Sequence, residues 1–199
     1  MQKLKAIIFD KDDTLMQDQI YSPAFDKKYF FEDIIPSIIK FKENGYNIFV
    51  ISNQSGISKG KFEEKTLLLN YIKLNSLLKE EYNICFDGFF YCPHLPQSNC
   101  ICRKPSIGLF TKLMSMFQID PANSFYLGDR LSDIYFAHNA SLMPVIIHRF
   151  DYIYKDKKIY DDFKEIEILE EEGKVMVFNN VLDFANMITN FIKNDKRFL

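Results

Sequence analysis

Two groups of residues in this 199-residue chain have the types and spacing to do chemistry. In LKAIIFDKDDTL, Asp10 and Asp12 stand two positions apart at the end of an apolar run. If extended geometry persists there, both carboxylates face one pocket, where one can attack and the other can handle protons. An acidic turn capping the next segment is the ordinary alternative. In YCPHLPQSNCICRKP, residues 91–105, three cysteines and a histidine (Cys92, His94, Cys100, Cys102) fall within eleven positions, and Arg103 and Lys104 follow at once. Three thiolates and one imidazole suit tetrahedral zinc, and four protein ligands leave no open position for a catalytic water, so such a zinc is structural. Free thiols are the bland alternative. Redox chemistry is a weaker one, because the spacing is Cys-x-Cys and not Cys-x-x-Cys. Cys85 lies outside the cluster and reads as a small buried hydrophobe.

The elements that must position these groups are legible as alternating patterns. Residues 4–9, 46–52, 86–92, 124–129, 143–148 and 174–179 are short runs rich in β-branched and aromatic residues and read as buried strands. Helical patterns lie between them: IIPSIIKFKENG, with Pro36 suited to a first turn and Gly45 to a C-cap, then FEEKTLLLNYIKLNSLLKE, SIGLFTKLMSMFQ, LSDIYFAHNA and VLDFANMITNFIKN. This alternation predicts a Rossmann-like three-layer α/β/α sandwich around a mostly parallel sheet, with ligands bound beyond the carboxyl ends of the strands. Segment 149–173 is the least regular and reads as a hairpin or loop with a solvated charged face.

Length and composition bound the rest. With 47% hydrophobic residues, the chain has material for one domain spanning 1–199 with a sizeable core. The 20 Phe and 11 Tyr are spread along strand and helix patterns and read as core. A formal charge of −2 without a basic run argues against nucleic acid or an anionic membrane as partner. The N-terminus meets a charged cluster after only four consecutive apolar residues, too few for a signal peptide or a membrane span, so a cytoplasmic protein is expected.

Polar residues of the kind that bind phosphate follow several of these strands: Ser52-Asn53-Gln54, Lys104, and Gly128-Asp129-Arg130 with Asp133. Taken in order, FDKDDT, ISNQSG, RKP and GDRLSD resemble the four motifs of the haloacid dehalogenase-like phosphatase superfamily, and the resemblance spans residues 6 to 147. Any one of them arises easily by chance; four in order do not. The resemblance implies that Asp10 attacks phosphorus to form an aspartyl phosphate and that Asp12 serves as acid and then base. It implies Mg²⁺ held by Asp10, Asp129 and the main-chain carbonyl of Asp12. Ser52, Asn53 and neighbouring N–H groups would hold the phosphoryl oxygens, Lys104 would add positive charge, and Asp133 would orient Lys104 or the metal's waters. The family's usual Gly is replaced by Asp13. If that position requires a positive φ, Asp is among the less costly replacements, though it adds negative charge near the pocket.

The zinc-loop sequence, CPHLP to CICRKP, is similar to the zinc-bearing branch of heptose bisphosphate and histidinol-phosphate phosphatases, and by that resemblance Arg103 contacts substrate. The gaps between motifs are filled by the helices and strand already assigned, which leaves no room for a large cap domain. SNQSGISKG looks more like the heptose enzymes, whereas DDTL, CPHLP and GDRLSD look at least as much like the histidinol ones. The expectation is a monomer acting on a small phosphate monoester, first D-glycero-D-manno-heptose 1,7-bisphosphate and second histidinol phosphate. A polynucleotide 3′-phosphatase and a noncatalytic zinc-stabilised interaction module are the readings from other classes.

Overall fold

Apolar side chains along the strands sort to two faces with period two, and that sorting builds the layers. The computed structural model describes residues 3–149 and 157–194. Strands β1 (Ala6–Phe9), β2 (Asn47–Asn53), β3 (Gly88–Cys92), β4 (Phe125–Gly128), β5 (Met143–Ile147) and β6 (Met176–Phe178) form one six-stranded sheet in the order β3-β2-β1-β4-β5-β6, every neighbouring pair parallel. Ile8 lies opposite Phe49 on β2 and Tyr126 on β4. A slip of one residue would send each strand's apolar set to the wrong face, so burial fixes this register.

Ile7, Phe9, Ile48 and Val50 face a layer made by α1 (Ile34–Glu43), α2 (Glu64–Tyr82) and α6 (Val181–Asn194), which contribute Ile34, Phe41, Leu67, Leu78 and Phe184. Ala6, Ile8, Phe49 and Ile51 face α3 (Gly108–Met116) and α4 (Leu131–Asn139), through Leu109, Leu113, Phe136 and Ala137. In α1 the buried Ile34, Ile38 and Phe41 recur at helical spacing, Pro36 sits in the first turn, and Gly45 follows the helix end at φ +79°. Aromatics serve the core as expected: Phe25 packs edge-on against Phe89 and Tyr71, with ring centroids 5.0 and 5.5 Å away.

The irregular reading of 149–173 requires correction where it falls on described residues. A helix, α5 (Lys157–Glu171), occupies most of it, and residues 150–156 lie outside the described residues. Ile166 is buried against Ile134 of α4 and Ile146 of β5, with Leu169 packed beside it, so a narrow stripe at i, i+3 docks the helix. Ile168, an apolar residue off that stripe, is exposed.

Strand order reverses between β1 and β4, so a crevice opens beyond their carboxyl ends. Asp10 ends the first strand there, and its N–H donates to the carbonyl of Leu127 on β4 at 2.8 Å. Between β1 and β2 the chain holds one helical turn and α1, and between β2 and β3 only α2, so no cap domain covers the crevice among the described residues. Among those residues, no helix is long and apolar enough to cross a membrane.

Candidate active site

The crevice is a cleft of about 440 Å³ whose walls include Asp10, Asp12, Ser52, Asn53, Gln54, Arg103, Lys104, Arg130 and Asp133. Four loops thus converge, each leaving the carboxyl end of a strand. Lys104 is the electrostatic centre. It is 5% exposed, and its Nζ lies 2.8 Å from Asp10 Oδ1 and 2.7 Å from Asp133 Oδ1. The same ammonium donates to the Tyr126 hydroxyl at 2.7 Å, and that hydroxyl donates to the carbonyl of Ile51 at 3.1 Å. Burial works against the charge of Lys104, but Asp10 and Asp133 outweigh it and raise its pKa.

Asp133 ties the lysine to the motif after β4. Its Oδ2 accepts from the N–H groups of Asp129 and Arg130, both at 3.2 Å, while Oδ1 takes Lys104. Gly128 is required by this packing, because a Cβ there would come within 2.4 Å of the Asp133 Cβ. Asp129 brings its carboxylate to those of Asp10 and Asp133, with ligand atoms all within 4.8 Å of one another. Its Oδ1 is buried with no hydrogen-bond partner. Burial, then the charge of Asp133, pushes the Asp129 carboxyl well above the usual range despite Arg130 beside it. An orphaned anionic oxygen among three carboxylates fits a hard divalent cation such as Mg²⁺. The carboxylate of Asp133 joins this group, where the sequence reading had placed it only as an orienting partner.

Asp12 stands apart from that cluster. Its Oδ1 takes the ammonium of Lys11 at 2.5 Å, and its Oδ2 takes Gln54 Nε2 at 2.8 Å, which also donates to Ser52 Oγ at 2.9 Å. Asp13 has φ +58°, the left-handed conformation that explains the family's Gly. Its carboxylate accepts from the N–H of Asp18 at 3.0 Å and faces Arg130 at 3.7 Å, so the added charge has partners. Burial still raises its pKa.

The four predicted zinc ligands converge. Cys92 and Cys102 sulfurs are 3.2 Å apart, Cys92 and Cys100 are 3.5 Å apart, and His94 Nδ1 lies 3.1 Å from Cys102 Sγ. Tetrahedral zinc with bonds of about 2.3 Å to sulfur sets its corners about 3.8 Å apart, close to these separations. Burial pushes the Cys92 thiol up to about 12, whereas Cys100, against its own burial, is brought down to about 7 by hydrogen bonds with Cys102 and Cys92. A cation would let all three ionise. From this loop the His94 carbonyl accepts from Arg103 at 3.2 Å, and the main-chain N–H of Lys104 donates to Asn53 Oδ1 at 3.1 Å.

Lys11 and Tyr126 were missed as site residues, and Gln54 was read only as one of the polar residues after the second strand, without its contact to Asp12. Lys11 and Gln54 lie inside motifs already singled out, and that adjacency was the available signal. Tyr126 reads as an ordinary strand residue, and no sequence pattern marks its hydroxyl.

Carboxylates, a buried lysine and an open cleft at the switch point of a parallel sheet make up the site of a phosphoric monoester hydrolase of the haloacid dehalogenase-like class. A family model described as polynucleotide kinase 3 phosphatase matches residues 5–143. A D-glycero-beta-D-manno-heptose-1,7-bisphosphate 7-phosphatase of Haemophilus ducreyi is 34% identical over 73% of this chain and 83% of its own. A histidine biosynthesis bifunctional protein of Blochmanniella floridana is 30% identical over 76% of this chain and 43% of its own. The crystal structure of a D,D-heptose 1,7-bisphosphate phosphatase from B. bronchiseptica, complexed with magnesium and phosphate, has the same fold, with TM-score 0.77, 22% identity and coverage of 94% of this chain and 99% of its own. The chain belongs to the haloacid dehalogenase-like phosphatases, in the family of the heptose bisphosphate phosphatases.

Proposed function

We propose that this chain removes the 7-phosphate of D-glycero-D-manno-heptose 1,7-bisphosphate in a magnesium-dependent reaction that passes through an aspartyl phosphate on Asp10. One observation carries the chemistry: Asp10 lies 2.8 Å from the enclosed ammonium of Lys104 on the wall of an open cleft that Asp12 also lines. The heptose substrate is carried by the relative from Haemophilus ducreyi and by the Arg103 side chain at the cleft.

An Asp10 oxygen bonds to phosphorus as the bond to the sugar oxygen breaks, and Asp12 gives that leaving oxygen its proton. Asp12 then takes a proton from the water that displaces Asp10 from phosphorus. Ser52 and adjacent N–H groups hold the phosphoryl oxygens, with Lys104 neutralising their charge and Asp133 aiming Lys104. Asn53 lines the cleft and also clamps the main chain of Lys104. Magnesium, held by Asp10, Asp129 and the main-chain carbonyl of Asp12, would supply the positive charge that lets a carboxylate approach an anionic ester. Zinc on Cys92, His94, Cys100 and Cys102 would clip the loop that carries Arg103, which meets the far part of the substrate. A cytoplasmic monomer acting on small molecules is the setting this reading implies.

Histidinol phosphate is the second reading, favoured by the relative from Blochmanniella floridana. Comparing kcat/KM for both anomers of the heptose bisphosphate with that for histidinol phosphate decides between them, and a higher value for histidinol phosphate reverses the order. Asp10→Asn should lower turnover of either substrate by roughly a thousandfold or more, with the thermal melt unchanged. Substantial activity in freshly purified Asp10→Asn protein would exclude Asp10 as nucleophile.

A further inference from the structure

Lys11 is a buried cation that the mechanism above does not use. Its side chain is 2% exposed, whereas that of Asp12, its partner at 2.5 Å, is 23% exposed and opens on the cleft. The ammonium lies 5.7 Å from the ring centroid of Phe25, itself 3% exposed, so the lysine approaches Asp12 from inside the protein. An ion pair this deep contributes little to stability as a rule, because desolvation offsets the attraction. Its geometry points to another use. The two oxygens of Asp12 have unequal donors: Oδ1 takes the ammonium, while Oδ2 takes Gln54 Nε2, which has Ser52 Oγ at 2.9 Å as a second acceptor. Gln54 can therefore release Oδ2 and keep a partner. Among the described residues the ammonium of Lys11 has Asp12 Oδ1 as its one hydrogen-bond acceptor, so Oδ1 stays held.

We infer that Lys11 is a positioning residue that pins Oδ1 of Asp12 and leaves Oδ2 as the oxygen that exchanges protons with substrate and water. In the first step the Oδ2 proton passes to the leaving oxygen as its bond to phosphorus breaks and the bond from Asp10 forms. In the second, Oδ2 takes a proton from the attacking water and the bond between Asp10 and phosphorus breaks. The inference rests on the reading of Asp12 as the acid and base.

The test is a leaving-group series in single turnover, from 4-nitrophenyl to phenyl phosphate with magnesium present, following release of the phenol. The poorer leaving group needs the proton more. Lys11→Met should lower the rate on phenyl phosphate about tenfold more than on 4-nitrophenyl phosphate, as Asp12→Asn should, and Lys11→Arg should restore most of the loss. Equal falls on both esters, or none, would overturn the inference. If Asp12→Asn itself shows no dependence on leaving group, the reading of Asp12 fails first. If Asp12→Asn shows it and Lys11→Met does not, only the role of Lys11 fails. Should Lys11→Met not melt cooperatively, Lys11→Gln takes its place. If neither folds, the lysine serves stability and the inference falls.

Discussion

Tyr126 shows how a single hydroxyl joins the core to the chemistry. Buried in the sheet, it accepts from Lys104 and donates to the carbonyl of Ile51, so it links the strand that carries Ser52 to the lysine that faces Asp10. Removing it leaves a buried carbonyl without this donor and Lys104 with two carboxylates in place of three partners. Tyr126→Phe should therefore cost about 1–3 kcal/mol of stability. The turnover should fall only a few-fold, since Asp10 and Asp133 still hold the ammonium. Urea unfolding beside steady-state kinetics checks this; a loss of activity as large as that of Asp10→Asn would mean that the hydroxyl takes part in the reaction. Residues of this kind are not legible in a sequence. Asp10 and Asp12 could be read from their spacing at a strand end, and Lys104 and Asp129 from the resemblance of RKP and GDRLSD to the family's motifs, but Tyr126 and Lys11 acquire roles only through partners that folding brings to them.

At the scale of elements, the loop from Cys92 to Lys104 connects the cluster of Cys92, His94, Cys100 and Cys102 with the cleft. Few of its residues are buried, so burial cannot fix it, while the His94 carbonyl and Asn53 tie its end to Arg103 and Lys104. If zinc orders this loop, Cys100→Ser should leave the carboxylates in place and damage recognition. With a small aryl phosphate, kcat/KM should fall less than with the preferred substrate, and Arg103→Ala should repeat that selective loss with about one zinc per chain still bound. Together the two substitutions should cost less than the sum of their separate effects, because both remove one shared interaction. Strictly additive losses, or metal analysis that finds no zinc, would count against this role. The convergence of these four side chains was legible because three cysteines and a histidine crowd eleven positions. Helix α5 was not, since its buried stripe is narrow and Ile168 interrupts it on the exposed side. Strands were easier: Ile7 and Ile8 go to opposite faces, so both layers demand apolar residues, and the run is continuous.

For the whole molecule, the open cleft and the overall charge bear on which phosphate esters are accepted. Among the described residues no cap domain covers the cleft, so there the end of a polynucleotide would meet no steric barrier from a further layer, and the family model that matches the chain carries a polynucleotide phosphatase description. Electrostatics argues the other way. A strand of nucleic acid is held mainly by neutralising several phosphates, which needs a track of Lys and Arg along the surface. This chain has a formal charge of −2, and the cations lining its cleft, Lys59, Arg103, Lys104 and Arg130, share it with Asp10, Asp12, Asp18 and Asp133. Their charges suit one or two phosphates on a small molecule rather than a polyanion. A 3′-phosphorylated oligonucleotide should therefore be a poor substrate, with kcat/KM about a hundredfold or more below that of the heptose bisphosphate. Its KM should change little between low and moderate salt, because few counterions are released on binding. Measuring both substrates across a salt series provides the check. Efficient cleavage of the oligonucleotide with a steep rise of KM in salt would show a nucleic-acid track on this surface and replace the heptose reading with a polynucleotide one.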